Sequence, residues 1–147
     1  MAVTHSVEWH RHRLDAAVAL GVLLLLHALA HGVGTTSNIQ RISDDEPADL
    51  LGGAWHASND VVLGMASATW AAAGLAMAVA GVMVLRHAGA ARSVAVVASA
   101  ASLVLCVVFL WAAVIGAVVD VLLLAALVLI PERIGLRPGR GSVPARP

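Results

Sequence analysis

Hydrophobic residues along this chain fall into long, nearly uninterrupted runs separated by short polar stretches. The first run, Leu14 to Gly34, and the second, Val61 to Leu85, each supply the roughly 20 apolar residues that a membrane-spanning helix needs. A third run covers residues 93 to 130 and would measure about 57 Å as one helix, against a hydrocarbon core about 30 Å thick. The third run therefore predicts two helices joined by a tight turn.

We place this turn between Trp111 and Gly116, because tryptophan favours the membrane interface and glycine permits a sharp bend. The predicted fold is all-α, an integral membrane four-helix antiparallel bundle. Its predicted segments are a cytoplasmic N-terminal segment 1–13, spans 14–34, 61–85, 93–110 and 115–131, an outer loop 35–60, and a disordered cytoplasmic tail 132–147.

Two local signals leave alternatives open. Ala28-Leu29-Ala30 follows a basic segment and an apolar core, as a signal-peptide cleavage site does, so the first helix is either retained or removed. In the outer loop, Pro47 predicts the start of a short surface helix, because proline is favoured at the first helical position.

Composition supports the membrane interpretation. Hydrophobic residues make up 60% of the 147 and charged residues 12%, against about 25% charged in an ordinary soluble domain. The net charge of zero points to no nucleic-acid partner. Cys106 is the one cysteine and lies in an apolar run, so we expect a small core residue.

The arginines predict the orientation, since cytoplasmic loops carry an excess of positive charge. The 35–60 loop has only Arg41 among several carboxylates. The arginines outside that loop are Arg11, Arg13, Arg86, Arg92, Arg133, Arg137, Arg140 and Arg146. We therefore expect a multi-pass protein of the cell (inner) membrane with both termini cytoplasmic.

Ionisable residues within spans are functional candidates, because the bilayer makes them costly. His27 and His31 are four residues apart and share one helix face. Asp120 has wholly apolar neighbours and costs about 2.5 to 3.5 kcal/mol there unless it is paired. His27 is its first expected partner and His31 its second. The polar residues predicted to share the outer half of the membrane are His27, His31, His56, Asn59, Asp60 and Asp120.

This set permits several interpretations. His27, His31, His56, Asp60 and Asp120 could ligate a transition metal such as Zn, Fe or Cu. Alternatively, His27 and Asp120 are a catalytic acid–base pair in a pocket for a lipophilic small molecule. The glutamate of a metalloprotease H-E-x-x-H motif is missing. The structural alternative is a histidine–aspartate hydrogen bond that only holds two helices in register.

A different class of function is a non-catalytic accessory subunit of a larger membrane complex, or a homo-oligomer. Small residues recur at four-residue spacing on the second span and would let a neighbouring helix approach closely. They are Gly64, Ala68, Ala72, Ala76 and Ala80.

Two stretches carry a resemblance to a known group. The first is Leu-Leu-Leu-Leu-His27-Ala-Leu-Ala-His31-Gly32. The second runs from Ser102-Leu103-Val104-Leu105-Cys106 through Trp111 and Gly116 to Asp120. Together they resemble small four-span bacterial membrane proteins of actinobacterial type, broadly DoxX-like. The resemblance implies the four-helix fold and singles out His27, His31 and Asp120, but it implies no activity.

Overall fold

The computed structural model describes the backbone of residues 2–129 and the side chains of residues 16–110 and 112–129. Four helices run through this part of the chain, and each is long and apolar enough to cross a membrane. They confirm the predicted all-α four-helix fold. The elements in order are α1 (Ala2–Asp44), β1 (Ala48–Leu50), β2 (Trp55–Ala57), α2 (Asp60–Leu85), α3 (Ala91–Val108) and α4 (Leu110–Leu129). The predicted tail, 132–147, lies outside the described residues.

Helix α1 does not end at Gly34 but continues to Asp44, so the first ten residues of the predicted outer loop are helical. Hydroxyl and amide side chains here donate to carbonyls three or four residues earlier in the same helix, which keeps them from competing with its backbone hydrogen bonds. These donors are Thr35, Thr36, Asn38 and Ser43. These residue types are common in loops, but here their side chains bond to carbonyl groups within the helix.

The rest of the outer loop is a β-hairpin, and the helix expected after Pro47 is not there. β1 and β2 pair antiparallel, with Asp49 opposite His56. Leu51, Gly52 and Gly53 have positive φ between the strands, a conformation that glycine adopts without strain. The Leu51 N–H donates to the Val108 carbonyl at 2.7 Å, which ties the hairpin to the outer end of α3.

The turn between α3 and α4 comes earlier than predicted. The chain leaves α3 at Phe109, and a further non-helical residue, Ala113, kinks the start of α4. Gly116 lies within α4, where a Cβ atom would stand 3.0 Å from the Cys106 sulfur. The glycine therefore permits a close approach of α3 and α4, and the bend occurs elsewhere.

Packing among the helices is uneven. α1 lies along α2 and α3 lies along α4, with α2 and α3 in contact between them, whereas α1 and α4 touch at few positions. The first two helices cross tightly at Gly21 and Gly81, where each glycine faces the other's carbonyl oxygen. Leu24, Met77 and Leu127 fill the core at this inner end. The weak packing of α1 against α4 leaves space between them at the outer end.

Candidate functional site

Four polar side chains meet in the interior of the bundle: His27, His31, Ser102 and Asp120, here called the polar network. They come from α1, α3 and α4, and all are buried, with Asp120 and Ser102 fully inaccessible. His27 Nε2 lies 3.0 Å from Asp120 Oδ1. Ser102, a residue that the sequence did not single out, lies between the aspartate and both histidines.

The hydrogen bonds at Ser102 fix the direction of donation. Its hydroxyl donates to Asp120 Oδ2 at 2.6 Å. A serine has only one proton to give, so its oxygen accepts from His31 Nε2 at 2.8 Å and from His27 Nε2 at 3.3 Å. Both imidazoles are thereby assigned a proton on Nε2.

The contact between His27 and Asp120 is close in distance but poorly aligned. Asp120 Oδ1 accepts no well-directed hydrogen bond among the described side chains, although His27 Nε2 is 3.0 Å away. The His27 N–H points toward Ser102 instead. A small rotation of the imidazole ring would align this N–H with Asp120 Oδ1. Asp120 therefore faces His27 at ion-pair range.

Glycines make room for the two histidines. A Cβ atom on Gly74 of α2 would stand 3.0 Å from the His31 Cβ, and one on Gly116 of α4 would stand 3.7 Å from His27 Cε1. A larger residue at position 74 would crowd His31, whereas at position 116 the tight contact would be with the Cys106 sulfur beside the network. The backbone of two neighbouring helices thus helps to position the polar network.

An aromatic group packs against the network. The rings of His31 and Trp70 are 5.1 Å apart, and Trp70 meets Phe109 edge-on at 5.6 Å. His31 Nδ1 and Trp70 Nε1 are buried, and neither has a hydrogen-bond partner among the described residues. Buried polar atoms normally have a partner, so these two unpaired nitrogens mark an incompletely satisfied part of the bundle.

A cavity of about 840 Å³ occupies the space between α1 and the outer half of α4. His27 and His31 form part of its wall, together with Trp70 and Cys106. Most of the remaining wall is apolar, and several of its side chains are largely exposed at the gap between α1 and α4. These are Leu26, Val33 and Ile115, with 58%, 69% and 78% exposure. The cavity therefore opens sideways, toward the bilayer.

His56 and Asp60 do not join the network. His56 lies in β2, is largely exposed and bonds Asp49 through Nδ1. Asp60 begins α2, ten residues or about 15 Å along the helix from Trp70, which contacts His31. The structure thus brings together His27, His31 and Asp120 and leaves the other two predicted ligands exposed at the hairpin end of the bundle.

The metal interpretation lacks a preassembled site in the described part of the chain. No group of three or more histidine, cysteine, aspartate or glutamate side chains there is arranged to hold a metal ion. The two histidine Nε2 atoms both point at Ser102, whose proton is committed to Asp120. A metal at this point would have to displace these hydrogen bonds.

Sequence reasoning missed Ser102 and Trp70. A signal for Ser102 was present, because Ser99, Ser102 and Cys106 recur at steps of three and four and so share one face of α3. All three are buried. Trp70 gave no signal of its own, since a tryptophan inside a span is ordinarily a packing residue.

Fold and site together define a multi-pass membrane protein whose helices enclose a polar network beside a bilayer-facing cavity. The chain matches no model of a known protein family, no curated protein and no solved structure. The DoxX-like resemblance therefore stays a prediction based on the residues quoted above.

Proposed function

We propose that this membrane protein binds a lipophilic small molecule in the cavity and performs acid–base chemistry on it through His27. The observation that carries the proposal is the position of His27: its ring forms part of the cavity wall and lies 3.0 Å from a fully buried carboxylate. Such a carboxylate stabilises the imidazolium that forms when the histidine accepts a proton.

Each member of the network has a separate role in this proposal. His27 contacts the bound molecule and takes or gives the proton. Asp120 positions the ring and balances the charge, while Ser102 links the aspartate to His31. His31 is a second base in the same wall.

The nature of the cavity favours a lipophilic ligand over a water-soluble one. Its inner wall includes Leu23, Phe109 and Val119, and its open side lies between two apolar helices. A molecule dissolved in the bilayer could enter without crossing water. A polar ligand would lose its hydration and find few partners along the inner wall.

Mass spectrometry of lipids extracted from the purified protein tests the binding step. Ala30 lines the cavity, so Ala30→Trp fills part of it, whereas Ala100→Trp adds the same bulk to the exposed surface of α3. We expect one or a few lipophilic molecules to co-purify with the wild type and with Ala100→Trp, and to be lost from Ala30→Trp. A wild type that retains no molecule above the detergent background contradicts the proposal.

Deuterium incorporation tests the acid–base step. The test does not require that the overall reaction be known. In D₂O, a bound molecule that carries a carbonyl group should acquire deuterium at the carbon next to that carbonyl in the wild type and much less in His27→Gln. His87→Asn is the control, because His87 is exposed at the far turn and asparagine tolerates its positive φ. Equal incorporation in the wild type and His27→Gln would exclude this role for His27.

The accessory-subunit alternative has one observation in its favour. On α2, Ala68 and Ala72 of the four-residue series are exposed, while Ala80 is buried in the bundle. The exposed part could receive a helix of a partner or of a second copy. Ala72→Leu should dissociate such a complex in a detergent-resistant crosslinking assay, and should have no effect on a monomeric binding protein.

A further inference from the structure

The cavity has an elongated shape and a charged outer end. On α1 its lining begins at Leu23 and recurs at steps of three and four residues as far as Arg41. This stripe extends over 18 residue steps of helix, or about 27 Å at 1.5 Å per residue. A linear molecule fits such a groove better than a compact one.

Arg41 is the cationic member of the described cavity lining. Its Nη1 donates to the Pro47 carbonyl, which orients the guanidinium at the outer end. The ion pairs among the described residues are His27–Asp120 and His56–Asp49, so Arg41 forms no direct ion pair with a described carboxylate, although three acidic residues follow it at the end of α1. The neighbouring acid at the rim, Asp49, is already bonded to His56.

From these features we infer that the cavity binds a long-chain carboxylate, with its carboxylate on Arg41 and its hydrocarbon chain along α1 toward His31 and His27. This inference rests on the proposed function and names the class of its ligand. A guanidinium presents parallel N–H donors that match a carboxylate. Below Arg41 the lining begins with Ser37 and Asn38 and then becomes largely apolar, so most of the hydrocarbon chain would lie against apolar side chains.

The spacing of Arg41 and the histidines sets the length of the chain. His31 and His27 lie 10 and 14 residues before Arg41, or about 15 and 21 Å along the helix. An extended chain advances roughly 1.2 Å per bond, a third of the length of one extended residue. The histidines therefore meet positions roughly 12 to 18 bonds from the carboxylate, the range of common long-chain acids.

A free acid fits the outer end better than a two-chain phospholipid. Ala48 and Asp49 of the hairpin line the cavity beside Arg41 and limit the room for a bulky head group.

Binding of hexadecanoate to the full chain in an uncharged detergent tests the inference. The probes for comparison are hexadecanol, octanoate and a single-chain phosphocholine. Arg41→Gln removes the positive charge, and Arg41→Lys keeps the charge but lacks the parallel N–H donors of the guanidinium. Arg86→Gln is the control, at the exposed inner end of α2. Helicity and elution volume establish that each variant is folded.

We expect hexadecanoate to bind the wild type and Arg86→Gln alike, and to bind Arg41→Gln about tenfold or more weakly. Arg41→Lys should fall between them. Hexadecanol and octanoate should bind the wild type more weakly than hexadecanoate, since one lacks the charge and the other ends before reaching the histidines.

The failures of the two proposals can be told apart. Equal affinity for hexadecanol and hexadecanoate, or no effect of Arg41→Gln, overturns the inference and leaves a neutral lipophile as the ligand. Tighter binding of the phosphocholine overturns it in favour of a membrane lipid. If none of the probes binds and no lipophile co-purifies with the wild type, the proposed function fails as well.

Discussion

Ser102 of α3 donates a 2.6 Å hydrogen bond to Asp120 of α4, the shortest link in the polar network. Because its one proton is used there, the serine oxygen is left to accept from His27 and His31. A single hydroxyl thus connects the buried carboxylate with both imidazoles.

Ser102→Ala should lower the free energy of unfolding by about 1 to 3 kcal/mol, because Asp120 and His31 each lose a buried partner. Ser93→Ala, at an exposed position near the start of the same helix, should change it by less than about 0.5 kcal/mol. Unfolding in mixed micelles measures both variants. Similar values for the two serines would mean that the Ser102 hydroxyl contributes nothing.

His27→Leu and Asp120→Leu should each destabilise the protein by about 3 kcal/mol, because each leaves a buried polar partner behind. The double variant should cost less than the sum of the singles by at least about 1 kcal/mol, since it removes both members of the pair. A double-mutant cycle in the same unfolding assay gives the coupling. Strict additivity would show that the two side chains do not interact.

Gly34→Ala should destabilise the bundle by about 1 to 3 kcal/mol through overpacking. A Cβ atom there would stand 2.5 Å from Trp70 Cδ2. Gly32 is the matched control two residues away, with no atom within 4 Å of its Cβ position. Gly32→Ala should be neutral or stabilise the helix by up to about 1 kcal/mol. The two variants should therefore move the unfolding midpoint in different directions.

Orientation is tested by labelling single cysteines in intact cells with a membrane-impermeant maleimide. In a Cys106→Ala background, Ser43→Cys at the hairpin end should react from outside. His87→Cys in the basic turn after α2 should react only after lysis. Both positions are exposed at opposite ends of the bundle. The reverse pattern would contradict the orientation derived from the arginines.

Elemental analysis addresses the metal alternative. We expect no Zn, Fe or Cu in stoichiometric amount, because the donors of the network are turned toward one another through Ser102. His27→Ala and Asp120→Asn serve as comparison. Stoichiometric metal in the wild type that is lost in both variants would replace the acid–base proposal with a ligand site.

The long hydrophobic runs were sufficient to predict four helices. The length of each run as a helix, compared with the thickness of the bilayer, permits few other numbers of spans. The runs also singled out His27, His31 and Asp120, because an ionisable residue among leucines and valines is conspicuous in any sequence. Local composition was a poorer guide. Thr35 and Asn38 have the chemistry of a loop, yet both donate back to the carbonyls of α1 and prolong it.

Other features depend on tertiary neighbours that no single span contains. Gly116 could serve a bend in the chain or a close contact between helices. The position of Cys106 on the adjacent helix shows that it serves the close contact. Likewise, a serine in a span is unremarkable until three polar side chains from two other helices converge on it. The position of His56 depends on its pairing with Asp49 across the hairpin, which polarity alone did not predict.

The uneven packing of the four helices has a mechanical consequence. α1 packs along α2 and α3 packs along α4, and the two pairs meet mainly through α2 and α3. His27 and His31 belong to the first pair, and Ser102 and Asp120 belong to the second. The polar network therefore joins the two pairs on the side where α1 and α4 have few contacts. Its hydrogen bonds act as a polar clasp between helices that little apolar packing holds together.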